Sequence, residues 1–410
     1  MWFKGPHKIL RTPNSSPFRK RLLNDSFQKM KGKLLLSSII AIFSILTGLA
    51  DDGLLRVCTL NVDGLPQKVL FLKINDDGPA ETYTPVISQF LADAGFDIIG
   101  VQENFNFNPQ LHSALDKDYD ADEWSGGVAS SGSFGEIVKL KFSCDGLGAF
   151  WKKDIKLKGY ERVIWLENCG VLDHSSDGLA TKGFRYYEFE LSDGFQIQLY
   201  NMHMDASTTE DELAENDGPD REARQAQYAQ LFDHIMTNMD YRPIIVLGDL
   251  NSYYARDKVK QIFIDRIAET GRAEATDAWI EMQRGGIYPE PVEGPVSYDS
   301  GGWLREGEGL DKIICINPIG SNMRLETVNA EVVTDGFYRN STTMPLSDHF
   351  PLAADLRCVW ADVSSIDKTL KPAACSRVYD LHGRRVGKPQ RGVNIIRNAD
   401  GTRSKVIIAK

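Results

Sequence analysis

The chain has 410 residues, 42% of them hydrophobic, enough apolar material for one large buried core with appendages. Its formal net charge of −10 gives no general attraction to nucleic acid or to anionic membranes. The charge is uneven: eleven Lys and Arg against Asp380 and Asp400 put residues 368–410 at +9, leaving −19 elsewhere.

At the N-terminus, Lys29, Lys31 and Lys33 precede the apolar stretch Leu34–Ala50, which ends in the small-residue run Gly48-Leu49-Ala50. This pattern predicts a secretory signal peptide with Met30 as the true start, so that residues 1–50 contribute nothing to the mature fold. The run is short for a span of about 20 residues, which favours cleavage over anchoring. Export permits disulfides. Cys58, Cys315 and Cys358 sit in strand-like runs, where a buried thiol is expected, whereas Cys144 and Cys169 lie in polar stretches and could pair. No C-x-x-C spacing suggests zinc.

From Asp51 onward, short runs rich in Val, Ile and Leu read as strands buried on both faces: Leu54–Leu60, Ile98–Val101, Leu147–Trp151, Gln196–Asn201, Ile244–Leu247, Lys312–Ile316 and Leu352–Val359. Helical periodicity appears in Thr84–Ala94, with Val86, Ile87, Phe90 and Leu91 on one face. It recurs in Arg221–Met239, with Ala226, Ala229, Leu231, Phe232 and Ile235, and again in Asp257–Ala268. Strands alternating with helices imply a layered α/β domain over residues 51–360. Trp124–Phe142 and Gly285–Gly309 are long loops of the kind that are often functional. The acidic stretch Asp205–Asp220 reads as a solvated loop. Residues 361–410 form a linker and a basic tail with short strand signals at Arg377–Val386, Gly392–Ile396 and Lys405–Ala409.

Five apolar runs carry an isolated polar residue at one end: Asn61, Glu103, His203, the pair Asp249 and Asn251, and His349 in Leu346-Ser347-Asp348-His349-Phe350-Pro351. Asp311 opens the run Leu310–Ile314. Taken singly, each is most simply a turn cap, a solvated carboxylate or a packed histidine. If strand geometry continues past Asp249, its side chain and that of Asn251 point the same way, and Gly248 lets the backbone approach a ligand closely. His349, with an ordinary pKa near ~6.5, suits a general base at neutral pH.

The ordered blocks L-N-V, Q-E, N-M-H-M-D, G-D-L-N, L-D-K-I and S-D-H-F-P resemble those of the endonuclease/exonuclease/phosphatase superfamily over Leu54–Val359. The resemblance implies a four-layer α/β sandwich of two facing mixed β-sheets flanked by helices, with the site at one edge. It also implies hydrolysis of a phosphoester by a divalent cation and an activated water. Glu103 is then the principal metal ligand, with Asn61 beside it and Asp348 as a further contact. His349 is the general base, and Asp311 holds its far ring nitrogen. Asp249 and Asn251 orient the water and phosphoryl group, and His203 donates to a phosphoryl oxygen or the leaving group. Magnesium, which prefers oxygen ligands, is the expected ion, with Mn²⁺ or Ca²⁺ as alternatives.

The segment Asp177–Phe184, followed by a strand and then Asn201–Ala206, is similar to the corresponding region of sphingomyelinases, although Asp205 and Met204 stand where those enzymes have Gln and Leu. That favours a lipid headgroup over nucleic acid, and transient contact with a membrane surface through Phe105-Asn106-Phe107, Trp124 and Trp303. An extracellular nuclease and a soluble phosphomonoesterase are the alternatives; a non-catalytic surface binding protein fits poorly. The tail, with Y-D-x-x-G-R-x-V and G-x-x-I-I segments, resembles the C-terminal sorting domains of exported bacterial proteins. It implies an export-machinery partner and a secreted or cell-surface location.

Overall fold

The computed structural model describes residues 53–360, apart from 67, 70–71, 74–79, 129–141, 171–177, 179, 208–217, 292–308 and 341–342, and four strands between 377 and 408. The expected signal peptide and the linker lie outside the described residues.

Two six-stranded sheets make the main body. The first contains β1 (Leu54–Asn61), β4 (Ile98–Gln102), β5 (Tyr119–Ala121), β6 (Gly148–Lys152), β13 (Met323–Val332) and β14 (Leu352–Trp360), in the order β13-β14-β1-β4-β6-β5. The second contains β7 (Lys156–Ile164), β8 (Gly183–Glu190), β9 (Gln196–His203), β10 (Ile244–Asp249), β11 (Ala273–Asp277) and β12 (Asp311–Pro318), in the order β11-β12-β10-β9-β8-β7. Both are mixed: β1 runs parallel to β4 and β9 parallel to β10, while β10 and β12 are antiparallel. The two-residue strands β2 (Lys68–Val69) and β3 (Leu72–Lys73) form a separate ribbon.

Side-chain alternation places the layers. Val57, Ile98 and Trp151 of the first sheet share a buried core with Leu199, Ile245, Leu247 and Ile313 of the second, so the sheets face each other. The alternate positions Ile244, Val246 and Ile314 point outward onto α3 (Gly218–Asn238), through Tyr228, Leu231 and Ile235. On the far side, Cys58, Leu60, Ile99 and Val101 pack on α1 (Ala80–Ala94) and α2 (Asn108–Leu115), through Ile87, Leu91, Leu111 and Leu115. A fourth helix, α4 (Ala278–Arg284), follows β11. The fold is the expected four-layer sandwich. Strands covered on both faces favour apolar residues at most positions, which is why β4 and β10 open on continuous apolar runs.

Several local expectations need correction. Val86 is exposed, and the buried face of α1 is Thr84, Ile87, Ser88 and Leu91. The expected helix Asp257–Ala268 is broken. A helical turn, Tyr254–Asp257, ends at Lys258 in the left-handed region (φ 58°), and a π-helical stretch, Lys260–Asp265, then runs into Arg266–Glu269. The acidic stretch is not solvated at its ends. Asp205 and Asp220 are buried, and Asp205 accepts from the Cys169 N–H at 2.7 Å. Cys144 and Cys169 are not joined by a disulfide. The tail strands β15 (Arg377–Tyr379), β16 (Arg385–Val386), β17 (Gly392–Arg397) and β18 (Arg403–Ile408) make an antiparallel sheet in the order β16-β15-β17-β18.

Candidate active site

Strand register gathers the polar strand ends at one edge. Asn61 pairs with Gln102, so parallel β1 and β4 finish together and Glu103 follows at once. In the second sheet Asp249 is flanked by His203 of β9 and Asp311 of β12. Glu103 itself takes a left-handed backbone (φ 54°), which turns its side chain out of the strand's alternation. Gly248 (φ 145°) serves a different approach from the one expected. A Cβ there would lie 2.1 Å from the Met202 carbonyl oxygen, so glycine lets β10 close onto β9.

Asn61 joins the sheets. Its amide nitrogen donates to Glu103 Oε1 at 3.0 Å and to Asp249 Oδ2 at 3.1 Å, while its oxygen accepts from the Asp63 N–H at 3.0 Å. It therefore presents donors to the two carboxylates and is placed as a bridge between them. His349 Nδ1 donates to Asp311 Oδ2 at 2.7 Å, leaving Nε2 3.7 Å from Asp249 Oδ2. The Ser347 hydroxyl, which donates to the Asn61 carbonyl at 2.7 Å, fixes this loop against β1. Asp348 is exposed at the rim, and its Oδ1 accepts from Ser347 at 3.2 Å. His203 Nε2 lies 3.6 Å from Asp249 Oδ2 and 4.0 Å from Glu103 Oε1.

Asn251 departs from its expected placement. β10 ends at Asp249, and Asn251 turns away in the left-handed region (φ 46°). Its backbone N–H donates to Asp249 Oδ1 at 3.0 Å, and its side chain donates to the Met204 carbonyl at 3.1 Å. It thus steadies Asp249 from behind. Lys182, within the segment Asp177–Phe184, is buried in the site. Its ammonium donates to His203 Nε2 at 3.2 Å, which places the imidazole proton on Nδ1. The visible signal was a lysine, between Thr181 and Gly183, at the entrance to an apolar strand. Of the aromatics expected at the rim, Phe105 is instead buried with Val128, Phe142 and Cys144. Trp124 is half-buried and donates to the Asn104 carbonyl at 2.9 Å. Trp303 lies outside the described residues.

The electrostatics follow from burial and from crowded carboxylates. Burial, then the charge of Asp348, push the Glu103 carboxyl up to about 7. Burial opposes the His349 imidazolium, but Asp311 and Asp249 outweigh it and hold the ring well above its ordinary value. Burial and Lys182 drive His203 down to about 3, so it is neutral. Burial raises Asp311. For Asp249 burial is outweighed by His349, His203 and the Asn61 amide, and the carboxyl is lowered.

Asp249, Asp311 and His349 offer ligand atoms within 4.8 Å of one another, a group that could hold a metal ion. His349 Nδ1 is committed to Asp311, and Glu103 and Asp249 present carboxylate oxygens, the ligand type that a hard cation takes. Both carboxylates share the Asn61 amide, and the positive charge of a cation would relieve their crowding.

No family model matches the chain. Proteins curated as sphingomyelinase in Mycobacterium tuberculosis and Mycobacterium bovis are 29% identical to it over 227 residues, 55% of this chain and 39% of each relative. The chain thus spans about two-fifths of the length of the curated relatives it matches. Among solved structures it is similar to beta toxin from Staphylococcus aureus, at TM-score 0.49 and 18% identity over 73% of this chain and 99% of that one. It is also similar to an endonuclease/exonuclease/phosphatase family protein from Bacteroides thetaiotaomicron, at TM-score 0.48 and 18% identity, covering 74% of this chain and 97% of that one. The chain resembles the endonuclease/exonuclease/phosphatase proteins. Within this chain, the S-D-H-F-P and L-D-K-I blocks meet as the His349–Asp311 pair, and the Q-E and G-D-L-N blocks meet across Asn61.

Proposed function

We propose that the protein is a divalent-metal-dependent phosphodiesterase acting on a sphingomyelinase-type lipid headgroup. The observation that carries this is the meeting, at one buried edge, of Glu103 and Asn61 from one sheet with Asp249, His203 and the Asp311–His349 pair. Glu103 and Asp249, with Asp348 at the rim, would hold the cation; Mg²⁺ suits these oxygen ligands. When bound, it would polarise the phosphoryl oxygen and favour ionisation of water.

The chain's own groups supply the rest. His349 Nε2 faces the reacting side because Asp311 holds Nδ1, and it takes the proton of the attacking water. The new P–O bond forms as the bond to the departing alcohol oxygen breaks. Asp311 stabilises the imidazolium so formed. Lys182, held by His203 Nε2, supplies a fixed positive donor for the charge that develops on the phosphoryl group. Asn251 keeps Asp249 oriented. The relatives curated as sphingomyelinase support the headgroup assignment. The amino-terminal signal pattern and the C-terminal β-sheet support secretion or surface display, with residues 51–360 as the catalytic domain and 361–410 as a tail read by export machinery.

The test assays the purified full chain with Mg²⁺, and in excess EDTA, on sphingomyelin vesicles, duplex DNA, a chromogenic diester and a chromogenic monoester. Metal-dependent release of phosphocholine, with diester preferred to monoester, is expected. DNA cleavage with intact sphingomyelin would overturn the substrate class. Turnover unaffected by EDTA would overturn the metal-assisted mechanism.

A further inference from the structure

Beneath the site, three buried polar side chains cross the apolar interior between the sheets. Thr59, Gln102 and Asn201 are each 0% exposed. Gln102 Nε2 donates to Asn201 Oδ1 at 2.7 Å and to Thr59 Oγ1 at 3.1 Å. The Thr59 hydroxyl lies 3.3 Å from Gln102 Oε1. Asn201 Nδ2 in turn donates to the carbonyls of Gly148 at 2.8 Å and Val101 at 3.2 Å. Thr59, Val101, Gln102 and Gly148 belong to the first sheet, and Asn201 to the second.

Adhesion alone does not require such a chain, since apolar pairs would hold the sheets together as well, and buried amides cost free energy unless they are bonded. Its placement along the strands is informative. Thr59 stands two residues before Asn61, Gln102 one before Glu103 and Asn201 two before His203. The interface is also narrow here: a Cβ on Gly100 would lie 2.3 Å from Leu247 Cδ1 and 3.1 Å from Asn201 Cγ. The contacts that assemble the site, Asn61 to Asp249 at 3.1 Å and Glu103 to His203 at 4.0 Å, span the same gap. Hydrogen bonds weaken steeply with distance and angle, so this bridge fixes separation and register more tightly than apolar packing does.

We propose that Gln102 and Asn201, seconded by Thr59, are positioning residues. They set how the two sheets meet at the functional edge, so that Glu103 and Asn61 reach Asp249 and His203. The proposal rests on the site assignment above.

The test compares Gln102→Met and Asn201→Leu, with Thr59→Val and Thr59→Ser as a graded pair. Three quantities are measured: kcat and KM on bis(p-nitrophenyl) phosphate, Mn²⁺ affinity by calorimetry without substrate, and Tm. A displacement of order 1 Å costs up to about 100-fold in rate. Gln102→Met and Asn201→Leu are therefore expected to lose roughly 10- to 100-fold in kcat with KM nearly constant, and to bind Mn²⁺ more weakly. Thr59→Ser, which keeps the hydroxyl, should retain most of kcat, and Thr59→Val should fall between. Lowered Tm with unchanged kcat per folded molecule and unchanged Mn²⁺ affinity would overturn positioning. Should the larger changes prevent folding, the Thr59 pair decides: equal kcat and Mn²⁺ affinity for Val and Ser overturn it. A wild type without metal-dependent hydrolysis defeats the site assignment instead, whereas an active wild type with unaffected variants defeats this proposal alone.

Discussion

Glu103→Gln is expected to make the metal-free protein more stable while removing its function. Burial and Asp348 push this carboxyl from 4.5 up to about 7 in the folded chain. A carboxyl raised on folding leaves stability untouched below its unfolded value, lowers it progressively from about 4.5 to about 7, and imposes a constant penalty above that. The difference corresponds to roughly 3 kcal/mol at pH 8. Because 20% of the side chain remains in contact with solvent, screening reduces this to about 2 kcal/mol. With an unfolding entropy of ~2.1 cal/mol/K per residue over about 300 residues, the melting temperature should rise by about 3 °C. At pH 5, where the folded carboxyl is already protonated, the gain should fall below about 1 kcal/mol. Scanning calorimetry of both proteins in excess EDTA at pH 8 and pH 5 measures this, followed by Mg²⁺ titration. Mg²⁺ should raise the wild-type melting temperature and leave the variant unchanged. A variant no more stable than wild type at pH 8, or a gain that persists undiminished at pH 5, would refute the reasoning.

Replacing His349 with Ala should lower kcat by about 10²–10⁴ with the fold retained by circular dichroism; turnover near wild type would remove it as base. Asp311→Asn takes away the strongest influence raising His349. Since the base acts when unprotonated, the acid limb of the rate profile should move to lower pH while the plateau falls. A limb that stays or moves up contradicts the pairing. Asp145→Ala should lower stability by about 3–5 kcal/mol, because it leaves the buried Arg185 guanidinium with only one of its two carboxylate partners. Arg185 donates to Asp145 at 3.0 and 2.8 Å and to Asp122 at 2.6 Å. A loss under about 1 kcal/mol in urea unfolding would show that Asp122 suffices.

The strands that the sequence announced are those covered on both faces, such as Ile244–Leu247, where every residue is apolar and buried. Among those it hid are strands that run along edges. β7 alternates Leu157, Tyr160 and Val163 with Lys156, Lys158 and Arg162, and β13 carries a bulge between Thr327 and Asn329 that interrupts its period. The helix α3 was legible but its face only in part: Ala223, Arg224, Gln227 and Tyr228 are buried with Leu231 and Ile235, while Ala226 and Ala229 are half-buried. Strand-end position and motif order were enough to single out Asn61, Glu103, His203, Asp249, Asp311 and His349, which the register gathers at one edge. Orientation was not legible. Asn251 departs because the strand stops at Asp249, and the direction of the Asn61 amide is set by the Asp63 N–H. Gln102 and Asn201 passed as ordinary strand residues because their partners lie 99 positions apart.

The same long spacings make the assembled edge a report on completed folding. Asn61 meets Glu103 from 42 positions away and Asp249 from 188, and no stretch of neighbouring residues contains the whole set. Contacts of such separation form late, so a nascent chain carries the residues of the site without the geometry that the proposed hydrolysis requires. Inertness before folding is complete is then a by-product of topology. During refolding, turnover should appear only with the last spectroscopic phase.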